Sequence, residues 1–395
     1  MSEVANIPQL RFSEFSGEWE EKKLGELCKF TQGVQIPFSE QLTKYKEGAI
    51  RYLYIRDFFT DDFPYYVKDQ YPNKVIHTDE IMMVNTGNTA GKAFMGATGV
   101  LSNNAFKVSF DKTKVSNIFL FQRITSDTIQ RRIKSFFNAG GQPHLGHKNI
   151  AIIPMGFASL KEQQKIAVFL SAVDNKIEQL SKKKALLGEY KKGLMQQIFS
   201  QAIRFKSDDG GTFPDWEEKN GNEIFDNISN KNHDSDLPIL AITQEHGAIP
   251  RDLINYKMIV SDKSVSSYKV VETGDFIISL RSFQGGIEYS NYKGICSPAY
   301  IILRPAIEIE KKFYKYYLKT YRYIQDLNRK LEGIRDGKMV SYKYFSEIKL
   351  PYPSISEQAK IANFLSSIDN KIEQVGKQLR ESKQFKKALL QQMFV

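Results

Sequence analysis

Residues 159–199 read SLKEQQKIAVFLSAVDNKIEQLSKKKALLGEYKKGLMQQIF, and residues 354–394 read SISEQAKIANFLSSIDNKIEQVGKQLRESKQFKKALLQQMF. The two segments align without a gap at an offset of 195 residues (Ser159 to Ser354), and about half of their positions are identical. An offset near half of the 395-residue length means two modules in tandem, each closing on the same element. Apolar residues recur in steps of four and three: Ile166, Leu170, Val173, Ile177 and Leu180 in the first copy, Ile361, Leu365, Ile368, Ile372 and Val375 in the second. A period of 3.5 held over roughly four to five heptads marks a coiled-coil seam rather than the face of a helix lying on a globular core, so the two seams are expected to pair. About 40 residues at 1.5 Å each make a rod of roughly 60 Å. Ser159 with Glu162, and Ser354 with Glu357, have the spacing of capping boxes. Lys191 and Lys386 fall on the seam in both copies, and the sequence supplies no reason for them.

The repeat continues more faintly outside the helices. Arg11-Phe12, Phe15 and Trp19-Glu20-Glu21-Lys22 are echoed by Arg204-Phe205, Phe213 and Trp216-Glu217-Glu218-Lys219. In mid-module, Ile81-Met82-Met83-Val84 and Phe276-Ile277-Ile278 stand 195 residues apart, each followed by a glycine-rich turn, and read as buried strands. The expected organisation is α+β: a globular module over residues 1–158, a spacer helix over 159–200, a second module over 201–353 and a second helix over 354–395, with an internal pseudo-two-fold.

A chain of this length can bury two cores. Lys and Arg outnumber Asp and Glu by 56 to 45, giving a net charge of +11 and a pI near 9.2, which favours a polyanionic partner. No stretch is long and apolar enough for a membrane span, and the opening MSEVANIPQLRF is not a leader, so a cytoplasmic protein without membrane association is expected. Cys28 and Cys296 do not correspond under the repeat, which argues against a shared metal or disulfide framework.

Catalytic motifs fail on inspection. Gly87-Asn88-Thr89-Ala90-Gly91-Lys92-Ala93 is one residue short of a phosphate loop and lacks its hydroxyl. Ser297-Pro298-Ala299-Tyr300 resembles the tetrapeptide of amino-methyltransferases with a wrong third residue, and reads better as core strand; Glu347-Ile348-Lys349 reads as a solvated strand end. The histidine pair His144 and His147 has no second pair to complete a zinc site. No catalytic residue and no metal site are expected.

The polar loops between strands carry side chains that reach base edges and phosphates. In the first module these are Asn85, Asn88 and Lys92, with Gln142, His144, His147 and Lys148 in the loop 138–148; in the second they are Arg281 and Gln284, then Arg335 and Lys338.

The order of variable module, Glu-Gln-x-x-Ile-Ala-x-Phe-Leu-Ser helix with Asp-Asn-Lys-Ile-Glu, second variable module and the same helix again closely resembles the specificity subunit of type I restriction-modification enzymes. Pro8-Gln9-Leu10-Arg11-Phe12 with Gly17-Glu18-Trp19-Glu20 is similar too, and the likeness spans essentially the whole chain. It implies two target-recognition domains, each reading half of a bipartite double-stranded DNA target, held apart by an antiparallel coiled coil of the two helices. It further implies two methyltransferase subunits that bind S-adenosylmethionine, translocase-nuclease subunits in the full complex, and no cofactor or chemistry in this chain. Two other readings remain open: a scaffold that joins proteins through its coiled coil without DNA recognition, and a divergent fused methyltransferase or nuclease.

Overall fold

The computed structural model describes residues 6–60, 62–137, 141–233, 236–254, 265–329 and 340–395. The chain divides into two compact units, Met1–Ser181 with Lys377–Val395, and Lys182–Gly376. The cuts fall at equivalent points of the two repeated helices, so each unit combines one variable segment with half of each helix.

In unit 1 the central sheet has the order β2 (Cys28–Gln32), β9 (Ala105–Phe110), β6 (Ile81–Val84), β7 (Ala93–Phe94), all antiparallel. Every residue of β6 is buried, and the alternation of side chains sorts them: Ile81 and Met83 enter the main core with Phe106 and Phe119, Met82 and Val84 a smaller one with Leu53 and Leu101. Unit 2 repeats the topology as β12 (Phe225–Ile228), β19 (Ile301–Pro305), β16 (Phe276–Ile278), β17 (Glu288–Tyr289), again antiparallel. Phe276 and Ile278 face the main core with Phe225 and Tyr314, and Ile277 faces a second cluster with Leu240 and Cys296. The α+β class, the two domains and the strands read from the apolar runs are thus observed. A second sheet of unit 1, β4 (Tyr65–Lys68), β3 (Ala49–Leu53), β8 (Gly99–Leu101), β5 (Val75–Ile76), contains one parallel pair, β3 with β8.

The two long helices, α5 (Leu160–Phe199) and α11 (Ile355–Gln392), are unbroken. In unit 1 Ile166 and Leu170, near the start of α5, share a core with Leu389 and Met393 at the end of α11; in unit 2 Ile198 packs with Ile361, Leu365 and Ile368. Start meets end in each unit, so the pairing is antiparallel. Leu180 and Val375 are buried, while Val173, Ile177 and Ile372 are half-buried. One expectation is corrected here: the stripe is not a seam separate from the globular cores, because Ile166, Leu170, Ile361 and Leu365 belong to those cores as well. A heptad pattern read alone does not distinguish a neighbouring helix from a domain as the surface it meets.

The seam lysines acquire a role. Lys191 Nζ lies 2.6 Å from Asp369, and Lys386 Nζ lies 2.6 Å from Asp174, the aspartates of the two Asp-Asn-Lys-Ile-Glu motifs. Each aspartate takes a second donor from its module, the Tyr316 hydroxyl at 2.8 Å and Gln122 Nε2 at 2.6 Å. A polar pair on an apolar seam is satisfied in one register only. Lys386→Ala should cost unit 1 about 1 kcal/mol, since the pair is only partly buried. A double-mutant cycle with Asp174→Ala that returns purely additive losses would show the pair contributes nothing.

The capping boxes form only in part. The Ser159 and Ser354 hydroxyls accept from the Glu162 and Glu357 amides at 3.4 Å, but the glutamate side chains turn elsewhere. Glu162 accepts from Arg11 Nε and Nη2 at 2.7 Å and from Trp19 Nε1 at 3.3 Å; Glu357 accepts from Arg204 Nη2 at 2.9 Å and from Trp216 Nε1 at 3.0 Å. A buried carboxylate gains more from a guanidinium that meets both its oxygens than from the single helix-end amide of a capping box. These hydrogen bonds raise both guanidinium pKa values further. The next residue also bonds into its module: Gln163 accepts from the Ser116 amide at the N-cap of α2 (Asn117–Thr125), and Gln358 from the Glu310 amide at the N-cap of α8 (Lys311–Tyr317), both at 3.0 Å. The Glu-Gln pair of each repeat therefore ties its helix to its own variable segment.

Ser297–Tyr300 is a turn between β18 (Gly294–Cys296) and β19, not core strand. Pro298 has no amide for a ladder, and the Ser297 hydroxyl accepts from the Ala299 amide at 3.4 Å, closing the turn locally. Lys349 is exposed at the start of β20 (Lys349–Tyr352), as expected, whereas Glu347, also exposed, lies before the strand and caps the helical turn Tyr342–Ser346.

Candidate nucleic-acid interface

The candidate surfaces of the two units arise at equivalent places, the β6–β7 and β16–β17 connections. In unit 1 the chain leaves β6 through Asn85 and turns on Gly87 and Gly91, both at positive φ. A Cβ on Gly91 would stand 2.5 Å from Ile133 of α3 (Asp127–Lys134), so glycine lets the turn lie against that helix. The loop 141–148 docks beside it. The Thr86 hydroxyl is 3.0 Å from His144 Nδ1, the Gly87 amide donates to the Pro143 carbonyl at 3.0 Å, and the Leu145 amide to the Asn85 carbonyl at 2.7 Å. Two loops nearly 60 residues apart thus form one surface, on which Asn88, Lys92, Gln142, His144 and Lys148 are exposed. Lys92 lies directly before β7 with no helix following, unlike the lysine of a phosphate loop.

Two expected contact residues occupy other positions. Asn85 is 6% exposed; its amide donates to the Asn104 carbonyl at 3.0 Å and its side-chain oxygen accepts from the Thr86 hydroxyl at 3.2 Å, so it braces the loop instead of facing a ligand. His147 begins α4 (His147–Ala151) with its ring against Phe106 and Phe30, 4.7 and 5.9 Å between centroids. Burial, with His144 nearby, holds its pKa below the usual histidine range and favours the neutral ring. Asn138–Gly140 of this loop lie outside the described residues.

In unit 2 Arg281 and Gln284 are exposed on a single helical turn, α7 (Ser282–Gly285), where a loop was expected. The Ser282 hydroxyl accepts from the Ser279 amide at 2.9 Å, and a Cβ on Gly286, at φ +80°, would collide with the Leu318 carbonyl. Gln244 Nε2 donates to the Arg281 carbonyl at 3.2 Å and Asn328 Nδ2 to the Phe283 carbonyl at 2.9 Å, so the turn is pinned from two sides. Arg335 and Lys338 lie outside the described residues. A cleft of about 1120 Å³ within unit 2 presents Lys191, Lys192, Lys315, Arg322 and Tyr321. Burial lowers the Lys315 pKa.

Sequence reading missed Thr86, Asn104 and Gln244, which hold these surfaces through partners distant along the chain. Among the described residues no cluster of three His, Cys, Asp or Glu could hold a metal ion, and no helix is long and apolar enough to cross a membrane. Cys28 and Cys296 are buried, which pushes both thiols up to about 12, far from the reactive thiolate.

Comparison with known proteins agrees along most of the chain. The family model for the type I restriction modification DNA specificity domain matches twice, over residues 16–188 and 214–381. The specificity subunit of the type I restriction enzyme MjaVIII of Methanocaldococcus jannaschii is 27% identical over 400 residues, covering 94% of this chain and 91% of that protein. The putative MjaX specificity subunit of the same organism is 28% identical over 267 residues, 63% and 59% of the two chains. Among solved structures, the S subunit of a type I restriction-modification system from M. genitalium superposes with a TM-score of 0.61 at 16% identity, covering 98% of this chain and 99% of that one. A chain from a type I system solved for its complex assembly and conformational transition gives 0.55 at 19% identity, covering 94% and 96%. With two matched domains in tandem and a relative spanning nearly its full length, the chain belongs to the specificity subunits of type I restriction-modification systems, the non-catalytic component that selects the DNA sequence.

Proposed function

We propose that each unit reads one half of a bipartite, asymmetric target in double-stranded DNA, and that α5 and α11 fix the length of the unread spacer. The helical region recruits two methyltransferase subunits, which bring S-adenosylmethionine and methylate adenine; translocase-nuclease subunits complete the restriction enzyme, and the assembly works in the cytoplasm. This chain itself holds no cofactor. The observation that carries the reading is the pair of equivalent connections with different side chains: Asn88 and Lys92 beside Gln142 and His144 after β6, Arg281 and Gln284 after β16. A common frame with different donor and acceptor sets is what two distinct half-sites require.

Replacing Arg281 and Gln284 by alanine should relax the half-site read by unit 2 and leave the other intact. Removing a side chain that bonds a base edge costs about 1–3 kcal/mol at that base, whereas removing one that bonds a phosphate weakens all sequences alike. Selection from a library randomised over both half-sites, using the assembled methyltransferase, measures this. Equal degradation of both halves would remove these residues from the set of unit-specific readers.

A further inference from the structure

A pocket of about 280 Å³ opens in unit 1 beside the β4–β3–β8–β5 sheet, lined by Phe38, Tyr54, Arg56, Tyr65, Ser102 and Asn104 among others. The Arg56 guanidinium lies 5.3 Å from the Tyr54 ring centroid and 5.1 Å from that of Tyr65. The Tyr54 hydroxyl donates to Gln41 at 2.8 Å, which fixes the ring. Phe38 is 76% exposed at the rim. Ser102 is the informative member: it is 1% exposed, and its hydroxyl has no hydrogen-bond partner. An unpaired buried hydroxyl is costly in the free protein and calls for a partner.

The pocket adjoins the reading loops, since the carbonyl of Asn104 accepts from the amide of Asn85, the residue that braces the 85–92 turn. Its size lies just below the range of about 300–1,000 Å³ that suits drug-sized ligands, so it fits one ring system. Aromatic faces, a guanidinium plane, an amide and a hydroxyl match a flat heteroaromatic ring with a polar edge, and such pockets hold bases removed from a duplex. Resting on the reading that unit 1 binds DNA, we infer that this pocket receives a single nucleobase displaced from the stack, its ring against the tyrosines and its polar edge meeting Asn104 and the Ser102 hydroxyl, which the free protein keeps covered and the entering base uncovers. One position of the N-terminal half-site is then read by extrusion, in addition to the base edges met by the loops.

The test uses the full chain assembled with its methyltransferase subunits, and target duplexes carrying 2-aminopurine or pyrrolocytosine singly at each position of that half-site. Fluorescence should rise at one position other than the methylated adenine, which the methyltransferase handles itself. Ser102→Ala should abolish the rise and weaken target binding roughly tenfold. The same substitution should leave the thermal stability of the free protein unchanged or higher, because the deleted hydroxyl had no partner there. Arg56→Gln, at an exposed side chain, should also reduce the rise. Specific retention of the target without brightening outside the methylated adenine, or brightening that persists in both variants, overturns the inference alone. If the wild-type complex retains no duplex specifically, the reading of unit 1 as a DNA binder falls with it.

Discussion

Replacing Glu162 by alanine is expected to destabilise unit 1 by about 3 kcal/mol, and Glu357→Ala to do the same to unit 2. Each carboxylate is nearly inaccessible, with side-chain exposures of 2% and 1%, and each holds an arginine and a tryptophan from the opening segment of its own module. Removing one member of a buried ion pair costs about 3–5 kcal/mol because the other charge stays behind. The lower figure applies because Arg11 and Arg204 keep some access to water, 13% and 24% of their side chains. Hydrogen exchange read by mass spectrometry should show protection reduced in the unit carrying the substitution and kept in the other. Equal reduction in both would mean that the shared helices, and not these anchors, set local stability.

Lengthening the helices is expected to change the target without changing either half-site. Both α5 and α11 are unbroken and carry one register, so they should behave as stiff rods. Four residues inserted after Lys184 and after its equivalent Leu379 add about 6 Å to each helix, against about 3.4 Å per base pair of duplex. Four residues approximate one helical turn, which nearly preserves the facing of the seam. The preferred spacer should therefore grow by one or two base pairs. Assembly with the methyltransferase is checked first, by sizing. An assembled, active variant that methylates only the original spacing would show that the separation is set by something other than helix length.

The frame of the molecule was legible because it rests on local pattern. The 3.5-residue period marked both helices, and the apolar runs at Ile81 and Phe276 marked two strands that prove to be buried inside their sheets. The internal repeat carried more than expected: Arg11 and Arg204, and Trp19 and Trp216, reach equivalent glutamates although their own offsets differ from 195. Those contacts span 141 to 153 residues, and no local pattern encodes them. The candidate site was less legible for a related reason. A polar residue in a loop can face solvent or brace the loop, and composition does not say which; Asn88 does the first and Asn85 the second. Ser297–Tyr300 misled in the opposite direction, because apolar neighbours on both sides concealed a proline-bearing turn.

The most direct test of one half-site per unit is base-resolved mapping of adenine methylation by the assembled complex, comparing this chain with a chimera in which residues 16–158 are replaced by the counterpart from another specificity subunit. The account predicts a bipartite target in which the chimera changes one half while the other half and the spacer stay as they were. A chimera that assembles and methylates but changes both halves together would contradict it.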